Sequence, residues 1–170
     1  MVNASDIARP VVLLLSTGGL SQPAPNDLHV SVVPIASNTS CDTARAVTDG
    51  TVLPGEDLAG ADTRVAACEE SATLYPTPAL VYRVSVGARR RLTVDARALD
   101  LPPDLYPYVR VFDRCGDARC LARSVAAGSS VATFDNGSDA AREVFVALSP
   151  GGYDATPLGR VRLAFTSEPL

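Results

Sequence analysis

Few side chains in this sequence have the reach for chemistry. His29 is the only histidine, so a Ser-His-Asp or Cys-His device would have to be built around it. Period-two alternation sets it opposite Leu28 and Val30, on a solvent face, which favours a surface position over catalysis. The chain has no G-x-S-x-G elbow, phosphate-binding loop or dinucleotide fingerprint, and spacing marks out no carboxylate pair. The expectation is that the protein is not an enzyme. Asp135, Asn136 and Asp139 place oxygen ligands around Gly137 in a manner that a hard cation such as calcium could use. The same run reads equally as an Asx-rich turn before a strand, and the turn is preferred, so no cofactor is expected. Tyr75, Tyr106 and Tyr108 stand beside prolines and could form a stacking platform for sugar rings, or cap a sandwich with their polar ends exposed. Asn3, Asn38 and Asn136 begin glycosylation-type triplets.

Four cysteines bear on the compartment. Cys115 and Cys120 bracket a short Gly-Asp-Ala-Arg stretch, a spacing that closes the end of a hairpin, which leaves Cys41 and Cys68 as the second pair. Three connectivities exist in principle. A closed loop of about 28 residues is worth roughly 3–4 kcal/mol and one of six about 2 kcal/mol. A four-cysteine zinc site fits less well, because the C-x₂₋₄-C spacing is incomplete. Disulfides point to an exported domain, extracellular or on the cell surface, although no export signal is visible in the chain.

The elements that must position these residues are organised around a stretch that occurs twice. Residues Asn3 to Gly19 align without gaps on Asn136 to Gly152, and ten of seventeen positions are identical, where chance gives roughly one. Further on, Leu28, Val30 and Val32 fall on Val161, Leu163 and Phe165, with polar residues between them. Apolar residues at period two are the mark of a half-buried strand. Each copy therefore reads as two strands joined through a Gly-Gly connection, a closing hairpin. Residues 1–37 are then the closing hairpin of a preceding repeat, or donated strands, and residues 38–170 a complete domain.

Composition agrees with a single good core: 170 residues, 46% hydrophobic, 20% charged, net charge −4. The fifteen basic residues are all arginine, dispersed and outnumbered by nineteen acids, so the positive field of a nucleic-acid binder is missing. The apolar run Val11 to Leu15 is far too short to insert in a membrane as a helix.

The remaining chain reads as strand and turn. Ser40 to Val47, Thr51 to Leu53, Leu80 to Val86, Arg91 to Ala96, Tyr108 to Asp113, Cys120 to Val125, Ser130 to Phe134, Arg142 to Ser149 and Leu158 to Thr166 alternate or are β-branched. Asp49-Gly50 and Pro54-Gly55 read as turns, Leu101 to Pro107 as an extended connection, and Asp139 to Glu143 or Ala59 to Cys68 as the places for a helical turn. The fold class is all-β: an antiparallel β-sandwich with an extra N-terminal hairpin that repeats the C-terminal one.

The order Asn38-Thr-Ser-Cys41-Asp-Thr-Ala44, Cys68, LVYRVSV, RRLTVDA, YVRVFDRCG with Cys120, then EVFVALSPGGY resembles the bacterial pre-peptidase C-terminal domain family and its cysteine-containing tandem relatives. The likeness spans about residues 38–165. Leu80-Val81-Tyr82 has leucine where the family often has an aromatic, and Arg142 to Phe145 replaces its aromatic hairpin. The resemblance implies a jelly-roll-like sandwich, exported and noncatalytic, appended to enzymes or strung into surface arrays.

Two roles follow as expectations. The first is a structural or assembly module, part of a tandem array or a self-associating and filament-forming subunit. Its partners are copies of itself or neighbouring repeats, reached through Val11, Leu13, Leu15, Leu28, Val30 and Val32, since an uncovered hairpin is marginal and sticky. The alternative is an adhesin-like accessory module that binds polysaccharide or matrix protein through the tyrosines.

Overall fold

The computed structural model describes residues 36–61, 79–101, 105–114, 119–124, 130–151 and 159–170. They belong to one compact unit, Ile35–Leu170. The front copy of the repeat, with Val11, Leu13, Leu15, Leu28, Val30, Val32 and His29, lies outside the described residues.

In chain order the strands are β1 (Arg45–Val47), β2 (Val52–Asp57), β3 (Leu80–Val86), β4 (Arg90–Ala98), β5 (Tyr106–Phe112), β6 (Ala122–Arg123), β7 (Val131–Asn136), β8 (Arg142–Gly151) and β9 (Arg160–Pro169). They form a five-stranded sheet, β1-β3-β8-β5-β6, and a four-stranded sheet, β2-β9-β4-β7. The chain is an all-β sandwich. Neighbours are antiparallel, apart from β1, which runs parallel to β3. No helix among the described residues is long and apolar enough to cross a membrane.

Alternation explains the packing. Leu80, Tyr82, Val84 and Val86 of β3, Leu92 and Val94 of β4, Val109 and Val111 of β5, and Phe134 of β7 turn inward to one shared core. Each large apolar side chain fully withdrawn from water contributes about 1.5–3 kcal/mol. The opposite face of the five-stranded sheet is also buried in part, where Val81, Phe112 and Ala147 pack with Ala79, Cys41 and Cys120.

The structure corrects four expectations. Pro54-Gly55 does not end a strand: β2 runs through it as an edge strand with a register shift between Leu53 and Glu56. A bulge on an edge is where a missing N–H is tolerated. Strand β5 begins inside the Pro-rich connection, with Pro107 opposite Pro150. Asp139 to Glu143 forms no helical turn, and the only one among the described residues is a 3₁₀ turn at Leu58–Gly60, capped by the Asp57 carboxylate accepting from the Ala59 N–H at 2.9 Å.

The fourth correction matters most. The C-terminal copy of the repeat is not a hairpin. Strand β8 pairs with β3 and β5, whereas β9 pairs with β2 and β4 in the other sheet. The copy is an arch across the sandwich that supplies a central strand to each sheet.

Candidate functional site

The C-terminal copy is the element through which the repeat can be understood. Its inward residues Val144, Val146, Leu148, Val161, Leu163 and Phe165 are all 0% exposed. These are the counterparts of Val11, Leu13, Leu15, Leu28, Val30 and Val32. Both strands are central, flanked on both sides and covered on the core face.

The polar positions of the copy reach the same surroundings. Asn136 is 1% exposed, and its amide nitrogen donates to the carbonyls of Val86 at 3.0 Å, Gly87 at 2.8 Å and Ala140 at 2.9 Å. Its oxygen accepts from the Ser138 hydroxyl at 2.7 Å, so the side chain locks the loop before β8 onto the β3–β4 turn. That turn needs the help. Arg89 adopts φ 53°, a left-handed conformation that costs a non-glycine residue, and its N–H donates to the Ser138 carbonyl at 3.0 Å. Arg89 Nε also donates to Asp139 at 2.8 Å. Further along, Arg142 bridges to Asp113 at 3.0 Å and covers the Phe134 ring at 5.4 Å. Gly151 lies against Tyr106, where a Cβ would stand 2.7 Å from the ring Cζ.

The calcium candidates are not brought together. Asp135 and Asn136 point to opposite faces of β7, exposed and buried respectively. Asp135 accepts two hydrogen bonds from Arg91, at 2.7 and 2.8 Å, and Asp139 faces Arg89. No group of three or more His, Cys, Asp or Glu that could hold a metal occurs among the described residues. The Ser138 N–H donates to Asn136 Oδ1 at 3.3 Å, the bond of an Asx turn.

Asp135 belongs instead to a set of carboxylates that fasten the four-stranded sheet. Arg91 beside it holds its pKa below the usual carboxylate range. The Ser167 backbone N–H does the same for Asp49, and the Arg160 backbone N–H for Asp100. A depressed folded-state pKa stabilises above the unfolded value, near 3.8, and that stabilisation is lost as pH falls through the folded value. The melting temperature should therefore stay level down to about pH 5 and fall below about pH 4. Calorimetry across this range checks it, and the joint variant Asp49→Asn, Asp100→Asn, Asp135→Asn should flatten the acid limb.

Tyr106 and Tyr108 share the outer face of β5, half-buried, with the Arg110 guanidinium 5.6 Å from the Tyr108 ring centre. Arg110 itself is 3% exposed and reaches the Ser149 hydroxyl at 3.4 Å. Tyr75 lies outside the described residues. Cys41 and Cys120 are each disulfide-bonded. Cys68 and Cys115 lie outside the described residues, and so does the pairing. Asn38 is 7% exposed with its amide donating to the Val81 carbonyl at 3.2 Å, so neither it nor Asn136 offers an amide for glycosylation in the folded state.

One polar contact was not foreseen. The Tyr82 hydroxyl donates to Glu56 at 2.7 Å, and Glu56 also accepts from Arg45 at 3.3 Å, joining the two sheets through the core's edge. Burial first, and the Glu56 charge second, push the Tyr82 pKa far above its ordinary value. Glu56 sits 26 residues before its partner, beyond any local motif. Comparison with family profiles, curated proteins and solved structures found no match.

Proposed function

We propose that this chain is a noncatalytic structural module that assembles with further sandwiches, copies of itself or neighbouring repeats, through its N-terminal copy of the closing strands. One observation carries the reading: the matching residues of the C-terminal copy are central strands of both sheets, fully buried. A second set of the same residues needs flanking strands equivalent to β3, β5, β2 and β4. Those strands already hold β8 and β9 in this sandwich, so the front copy calls for a free set in a neighbouring repeat or in a copy that has released its own. The chain alternates between sheets from β2 to β5 and again from β7 to β9, which supports a jelly-roll-like wrapping. Disulfide-bonded Cys41 and Cys120 support an exported setting.

Light scattering after size exclusion, over a hundredfold range of concentration, tests this. The wild-type chain should associate as concentration rises, and Leu13→Asp should be monomeric with an unchanged melting temperature. A wild-type chain that stays monomeric throughout would rule out assembly with copies of itself and leave only neighbouring repeats as partners. The half-buried Tyr106 and Tyr108 beside Arg110 favour a second reading, an adhesin-like surface for polysaccharide or matrix protein. Saturable binding on a glycan or matrix-protein array, abolished by Tyr106→Ala with Tyr108→Ala, would support it.

A further inference from the structure

Several of the positions kept between the two copies touch the rest of the sandwich in the C-terminal copy. Asn136 holds the β3–β4 turn, Asp139 meets Arg89, Arg142 meets Asp113, and Gly151 makes room for Tyr106. Their counterparts Asn3, Asp6, Arg9 and Gly18 are identical. Gly159 has φ 101° and a Cβ there would lie 2.8 Å from the Asp100 carbonyl, so its counterpart Asn26 fits this position only if the Asp100 backbone shifts. A stretch released from this fit would have no physical reason to keep the residues that fill it.

We infer that residues 3–33 are an interchangeable occupant of the slot filled by β8 and β9, and that they seat in a second copy of this chain when that copy's own strands leave it. The inference rests on the assembly reading and specifies its joint. The proposal places the donor in another molecule; a seat in the same chain is the outcome in which a chain with an emptied slot folds and stays monomeric. Because the donated segment and the slot are different surfaces, the contact is head-to-tail and extends into open chains.

The test empties the slot in the full-length chain. Val146→Asp puts a carboxylate at a fully buried position of β8. If residues 3–33 of another copy take over, this variant keeps its β circular dichroism and its mass rises at least about twofold, as a head-to-tail contact requires. The double variant Val146→Asp with Leu13→Asp then unfolds, although Leu13→Asp alone does not. A Val146→Asp chain that is as unfolded as the double variant, or folded but monomeric, overturns the inference. So does a double variant as well folded as the single one. Leu148→Ala hollows the slot more gently. Its unfolding midpoint should rise with protein concentration, and Leu13→Asp should remove that dependence; a concentration-independent midpoint counts against the exchange. The two readings can fail separately. Wild-type association lost in Leu13→Asp without rescue of Val146→Asp leaves assembly standing with another joint. Rescue by a chain whose wild type is always monomeric leaves the slot standing without the assembly role.

Discussion

Replacing Phe165 with alanine is expected to remove about 3–5 kcal/mol of unfolding free energy, a large part of what a domain of this size holds. Phe165 is 0% exposed, lies in β9 between β2 and β4, and packs its ring against Tyr82 of the opposite sheet at 5.6 Å and 58°. The substitution loses the transfer energy of the ring and leaves a cavity where both sheets meet. Neither sheet can close it without moving the strands on each side of β9. On ordinary scaling the melting temperature falls by on the order of 10 °C. Urea unfolding followed by tyrosine fluorescence measures it, with Thr166→Ala as the control, since Thr166 is exposed on the other face of the same strand. A loss below about 1 kcal/mol would mean that the inter-sheet core does not depend on this contact.

The same residue shows what the sequence makes legible. Val161, Leu163 and Phe165 read as a strand because every second residue is apolar, and they form one. Period two cannot say which sheet the strand joins. Both sheets of a sandwich bury one face against a common core, so a hairpin and an arch have the same pattern, and the Gly-Gly connection suggests the nearer of the two. Strand ends were obscured by proline. Pro107 and Pro150 look like breakers in isolation, yet they face each other across β5 and β8. Two residues without N–H groups suit a non-hydrogen-bonded pair, which only the register reveals. At the site, the Asx turn around Asn136 could be read from Asn136-Gly137-Ser138. The direction of the Asn136 amide could not, because its partners Val86 and Gly87 lie about fifty residues earlier in the chain.

That amide supports the second large effect. Asn136→Ala removes an amide whose two hydrogens serve three carbonyls at a site that is 1% exposed, and leaves Val86, Gly87 and Ala140 to find other partners. Stranded buried acceptors cost about 1–3 kcal/mol each where water cannot reach them, and water does reach part of this loop, so about 2–4 kcal/mol in total is expected. Asn136→Asp discriminates the cause. It has the same shape but replaces the donor with a second acceptor facing three carbonyl oxygens, so at neutral pH it should destabilise at least as much as alanine. If Asn136 merely fills space, the aspartate variant should be close to wild type and the alanine variant the worse of the two. Asn3→Ala in the same chain should leave the melting temperature of the sandwich unchanged. The slot that Asn136 completes is filled from within the molecule, so the front copy is free to lose its asparagine without loosening the β3–β4 turn. Chemical denaturation of the three variants side by side separates these outcomes, and equal losses for Asn3→Ala and Asn136→Ala would contradict the proposal that the two copies serve different sandwiches.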